Sequence, residues 1–151
     1  MFGKSYTQYL RYQSPILVAI AGVGMVRLVL SLAGQPDSMV KFFSMTAVGL
    51  AGIVYYALTV RRHGFGSYLH MIPLIFNQGL VANGIAILGI LLSVLGLANI
   101  YDVPEFRPPF ARDASPAAHA LAHLFLGTTV GTLVGWLFGS IVMAIGGRPR
   151  K

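Results

Sequence analysis

Residues 116–147 read PAAHALAHLFLGTTVGTLVGWLFGSIVMAIGG. The stretch contains no Asp, Glu, Lys or Arg. At 1.5 Å per residue it would form a helix of about 48 Å, whereas about 20 apolar residues cross a bilayer core of about 30 Å. The stretch therefore reads as a membrane-crossing helix that tilts or projects beyond the lipid. Ser115 and Pro116 mark its start, because a serine hydroxyl caps free backbone N–H groups and proline suits the first helical position. Arg148, Arg150 and Lys151 close its far end.

Three further segments have the same character. They are residues 14–34, 39–60 and 69–100, and a proline-rich outer loop, 101–115, joins the third to the fourth. Composition agrees. The 151 residues are 56% hydrophobic and only 10% charged, where a soluble domain carries about 25% charged residues. The predicted fold is all-α: a polytopic four-transmembrane-helix bundle forming a single domain over residues 1–151. Lys4 and Arg11 before the first apolar run faintly resemble a signal sequence. The run is long enough to span, has no small-residue cleavage site and precedes three more spans, so a retained helix is expected.

Basic residues collect on the cytoplasmic side of membrane proteins. With both termini inside (N-in/C-in), Lys4, Arg11, Arg61, Arg62, Arg148, Arg150 and Lys151 lie inside. Lys41, Arg107 and Arg112 lie outside with all four acids: Asp37, Asp102, Glu105 and Asp113. A multi-pass protein of the cell membrane with cytoplasmic termini is the expected location. The net charge of +7 is then a topology signal in which basic clusters meet anionic lipid. Membrane lipid is the expected partner and nucleic acid is not. Five tyrosines (6, 9, 12, 68 and 101) map near predicted boundaries, and Phe2, Tyr6, Tyr9 and Leu10 suggest a short amphipathic helix on the inner surface. Trp136 falls within a span and should pack on a neighbouring helix.

Gly127, Gly131, Gly135 and Gly139 recur every four residues in the fourth span. Small residues at this spacing let helices approach closely. The row points to glycine-mediated helix packing, within the chain, in a homo-oligomer or in a larger membrane complex. Continued towards the N-terminus, it meets His123 and then His119.

His119 and His123 lie one helical turn apart and share a face, as two ligands of one metal must. With Asp102 and Glu105 they form a candidate site for a divalent metal such as zinc or non-haem iron. Haem is the other candidate cofactor. It would need Met25 or a partner chain for its second axial ligand, since His63 and His70 lie at the inner end. The plain alternative is a pair of interfacial histidines bonded to the loop above. Ala120 replaces the glutamate of a metalloprotease H-E-x-x-H pattern, so that reaction is disfavoured.

Arg27 is the one charge within a span, and an arginine there normally faces protein or water. Either an ion pair with an outer acid such as Asp37 or a clamp for an anionic headgroup would satisfy it. Asn77, Gln78 and Asn83 place amides within the third span, for interhelical hydrogen bonds or for a polar pocket. The loop prolines Pro104, Pro108 and Pro109 stiffen a lid over the outer ends. There is no cysteine, which removes thiolate catalysis and disulfides, and no phosphate loop, nucleophile elbow or dinucleotide fingerprint is present.

Two readings follow. One is a structural or accessory membrane subunit acting through glycine-mediated packing. The other is a metal- or haem-binding membrane enzyme or redox protein with an outer-face site on His119 and His123. Nothing forms a complete catalytic set, so enzymatic activity stays open at this point.

Overall fold

The computed structural model describes residues 1–103 and 113–146. They form α1 (Tyr6–Leu32), α2 (Asp37–Val40), α3 (Met45–Thr59), α4 (Tyr68–Val94), a 3₁₀ turn (Ile100–Asp102), α5 (Pro116–Leu121), a π-helical turn (Ala122–Gly127) and α6 (Thr128–Gly146). Among the described residues there is no strand. Four helical stretches are long and apolar enough to cross a membrane: Tyr6–Leu32, Asp37–Thr59, Tyr68–Val94 and Pro116–Gly146.

α1, α3 and α5 start where the sequence provides a serine cap. The Ser5 Oγ accepts from the Gln8 N–H at 3.3 Å and the Gln8 Oε1 accepts from the Ser5 N–H at 2.8 Å, a reciprocal box that ties off two free donors. Ser44 caps α3 through Ala47 at 3.2 Å, and Ser115 caps α5 through Ala118 at 3.3 Å. Pro15 lies inside α1 and has no N–H for the Arg11 carbonyl. The Ser14 hydroxyl donates to that carbonyl instead, at 3.1 Å.

Three boundaries differ from expectation. α1 runs unbroken from Tyr6, so the proposed amphipathic surface helix is the first two turns of the first long helix. The second apolar stretch is broken at residues 41–44, leaving α3 with 15 residues, about 22 Å of helix. The third helix ends at Val94; residues 95–102 fold back over the helix ends instead.

α3 and α4 each pack on both α1 and α6 and on one another. α1 and α6 thus flank a central α3–α4 pair. The chain ends meet on one face: the Phe2 carbonyl lies 2.9 Å from the His70 Nε2, and Arg62 donates to the Gly146 carbonyl at 2.8 Å. We call this the terminal face and the opposite one the loop face.

Near the terminal face lies the larger buried apolar cluster. Tyr9, Tyr56, Met71, Leu74 and Met143 are fully buried together. Tyr12 stacks on Phe65 at 4.2 Å between ring centres and its hydroxyl bonds the Thr59 Oγ1 at 2.8 Å. Trp136 packs against this cluster as expected, and its Nε1 donates to the Tyr68 carbonyl at 3.0 Å.

Candidate functional site

The loop-face half contains a cavity of about 730 Å³ bounded by α1, α3, α4, α6 and the 3₁₀ turn. Gly49 on α3, Gly79 on α4, and Gly131 and Gly135 on α6 are among its lining residues. At Gly131 a Cβ would meet nothing within 4 Å. Leu50, Val134 and Phe138 line the cavity and are 49%, 60% and 42% exposed. Its mouth therefore opens sideways, between α3 and α6.

The glycine row divides into two uses. A Cβ at Gly135 would lie 3.0 Å from both Ile53 and Ile75, and one at Gly139 would run into Met71 and Ile53. Gly127 faces the Asn83 amide, with 2.9 Å from a Cβ to the Oδ1. These three glycines are occupied by side chains of the same chain. Gly131 faces the cavity.

Polar groups converge where the cavity approaches the loop face. Arg27, Asn83, Tyr101, His119 and His123 all line it there. The π turn carries His123, whose carbonyl accepts the Thr128 N–H across the turn and also the Thr128 hydroxyl, at 3.3 Å. The two imidazoles lie side by side with ring centres 5.0 Å apart. The His119 Nδ1 is 3.4 Å from the Asp102 Oδ1, and the His123 Nδ1 is 2.9 Å from the Asn83 Oδ1. The Asn83 Nδ2 donates to the Thr128 Oγ1 at 3.2 Å, which leaves its Oδ1 to accept. In the neutral imidazole this contact puts the proton of His123 on Nδ1 and leaves the Nε2 lone pair free.

Arg27 does not pair with Asp37, and no carboxylate among the described residues forms an ion pair with it. Its guanidinium lies over the Tyr101 ring at 5.3 Å, a cation–π contact. Its Nε is buried with no hydrogen-bond acceptor. Tyr101 is held in turn: its hydroxyl donates to the Gly24 carbonyl at 3.1 Å and its N–H donates to the Asn99 Oδ1 at 3.1 Å.

Asn99 was missed by sequence reasoning. Its Nδ2 donates to the Gly89 carbonyl at 2.8 Å, the Leu97 carbonyl at 2.9 Å and the Ser93 Oγ at 3.0 Å. It folds the loop back so that Tyr101 reaches Arg27. The only sequence signal is an asparagine just beyond Gly96, whose φ of +87° ends the helix.

The candidate metal set is assembled only in part. His119 lies beside His123 on one side and Asp102 on the other. Glu105, and the prolines that were to stiffen the lid, lie outside the described residues. Among the described residues, no three His, Asp or Glu side chains converge as a metal site. Met25 is 42% exposed and is not among the residues lining the cavity that His119 and His123 line. Asn83 belongs to the site, Gln78 lines the cavity floor, and Asn77 lies outside the cavity lining. No known family matches the sequence, and comparison with curated proteins and with solved structures gives no match.

Proposed function

We propose that this is an integral membrane protein whose four long helices cross the bilayer, with both termini cytoplasmic, and that its cavity binds a membrane amphiphile with an anionic head. The observation that carries the reading is Arg27. An arginine within a helix costs about 2.5–3.5 kcal/mol on insertion scales unless it is matched. Here it stands at the polar end of a cavity, stacked on Tyr101, with no carboxylate paired to it among the described residues. An anionic head would supply the missing charge. The Nε2 of His123 would accept from a head hydroxyl. The apolar chain would follow Ile53, Ile75 and Phe138 and leave through the sideways mouth, which faces lipid in this arrangement.

Native mass spectrometry of the protein from mild detergent tests this. Phosphatidylglycerol is expected to bind more tightly than phosphatidylcholine, and Arg27→Gln to weaken only the former, by about tenfold or more, as loss of a charged hydrogen bond implies. Equal binding of both lipids, unchanged by Arg27→Gln, would sink the reading.

A second reading keeps the histidines as ligands of a divalent metal. It is favoured by the Nδ1 contacts to Asp102 and Asn83, since metal-bound histidines are oriented by such bonds. The remaining ligands would come from water or the bound head. Cobalt absorption bands that vanish in His119→Ala would support it; an unchanged spectrum with or without protein would remove it. Association through the glycine row has less support, because three of its four glycines face this chain's own side chains.

A further inference from the structure

A second polar region lies below the cavity, between α1, α3 and α4. The Gln13 Nε2 and Oε1, the Tyr56 hydroxyl, the Asn77 Nδ2 and the Gln78 Nε2 are all buried with no hydrogen-bond partner among the described residues. The four side chains are 0%, 0%, 5% and 4% exposed. They belong to one layer. A Cβ at Gly52 would lie 2.7 Å from the Ile16 Cγ2 and 2.8 Å from the Gln78 Nε2, so the three helices meet there. Gln13 is one turn from Ile16 on α1, and Tyr56 is one turn from Gly52 on α3. The Tyr56 hydroxyl and the Gln78 amide are neighbours without hydrogen-bond geometry between them.

Buried donors and acceptors in native proteins have partners, and lipid offers none. The Gln13 amide needs a group that both donates and accepts, the Asn77 Nδ2 and Gln78 Nε2 need acceptors, and a phenol takes either role. Water meets these demands, and buried waters typically serve about three such groups each. The polar string also has two open ends. At the terminal face the Tyr6 hydroxyl, on a residue 53% exposed, donates to the Asn77 Oδ1 at 3.4 Å. At the other end Gln78 lines the cavity floor.

We propose that water fills a half-channel from the terminal face at Tyr6, past Gln13, to the cavity floor at Gln78. The proposal rests on the helices crossing a membrane and not on what the cavity binds. The cavity would then be wetted from one face of the bilayer while its polar head end lies towards the other.

The cysteine-free chain allows a direct test. Gln13→Cys is compared with Met143→Cys, a position in the same half, 0% exposed and in an apolar cluster. Each variant is checked for an unaltered gel-filtration profile, reconstituted in oriented vesicles and exposed from the terminal side to 2-(trimethylammonium)ethyl methanethiosulfonate, whose permanent charge keeps it from crossing the bilayer. Gln13→Cys is expected to react at least tenfold faster than Met143→Cys. Equal, slow reaction of the two would overturn the proposal, as would reaction of Gln13→Cys only from the loop side. Asn77→Cys is the replacement probe if Gln13→Cys does not fold. The label is read in Arg27→Gln as well, where a lost amphiphile site leaves the rate unchanged.

Discussion

The two halves of the bundle use the same glycine row in opposite ways. Near the terminal face, Gly135 and Gly139 admit Ile53, Ile75 and Met71, and the space left by the missing side chains is filled. Near the loop face, Gly131 faces a space that nothing fills. A small residue in a helix therefore says only that volume has been removed. The neighbouring helix decides whether the vacancy becomes a contact or a cavity.

Substitutions along the row can break this contrast. Gly139→Leu should have the largest effect, because even its Cβ collides with Met71 and Ile53, and overpacking of this kind costs about 1–3 kcal/mol or more. A lowered thermal midpoint in detergent is the expected measurement. Gly131→Leu should leave that midpoint within a degree or two while excluding lipid from the cavity in native mass spectrometry. Equal destabilisation by both would show that the two halves do not differ.

The remaining predictions sharpen the contrast. Asn99→Ala removes the donor shared by the Gly89 and Leu97 carbonyls and should cost about 1–3 kcal/mol, the penalty for unsatisfied buried groups. Because Tyr101 then loses its anchor, lipid affinity should fall as well, which an effect confined to folding would not produce. Tyr12→Phe removes only the 2.8 Å bond to Thr59 near the terminal face. It should lower stability by about 0.5–1.5 kcal/mol and leave lipid binding as it was.

Much of the fold was legible because long apolar runs, basic flanks and the Ser115-Pro116 start depend on local chemistry. So was the packing of Trp136, since a tryptophan with few charges around it buries its ring and must find an acceptor for its N–H. The loop-face end of the second helix was not legible. Residues 39–44 are apolar enough to continue a helix, but Ser44 caps the next one and ends the first. The approach of Arg27 to Tyr101 depends on a loop folded back by Asn99, and no periodicity in the sequence announces a contact of 74 positions. The hydrogen bonds of Asn83 were also beyond reach, because its partners His123 and Thr128 lie 40 and 45 positions away. His119 and His123 could be placed on one face from their spacing, yet the π turn between them and the glycines left no mark in composition.

That turn has a further consequence. It holds one more residue than an α-helical turn would, so everything before Ala122 is out of phase with α6. Deleting one residue from Ala122–Gly127 would restore plain α-helix and rotate α5 by about 100° about the common axis. His119 is 5% exposed where it stands; after that rotation its ring would leave the cavity wall for the outside of the bundle. The length of the chain at one turn thus acts as an angular setting, and it aims an imidazole.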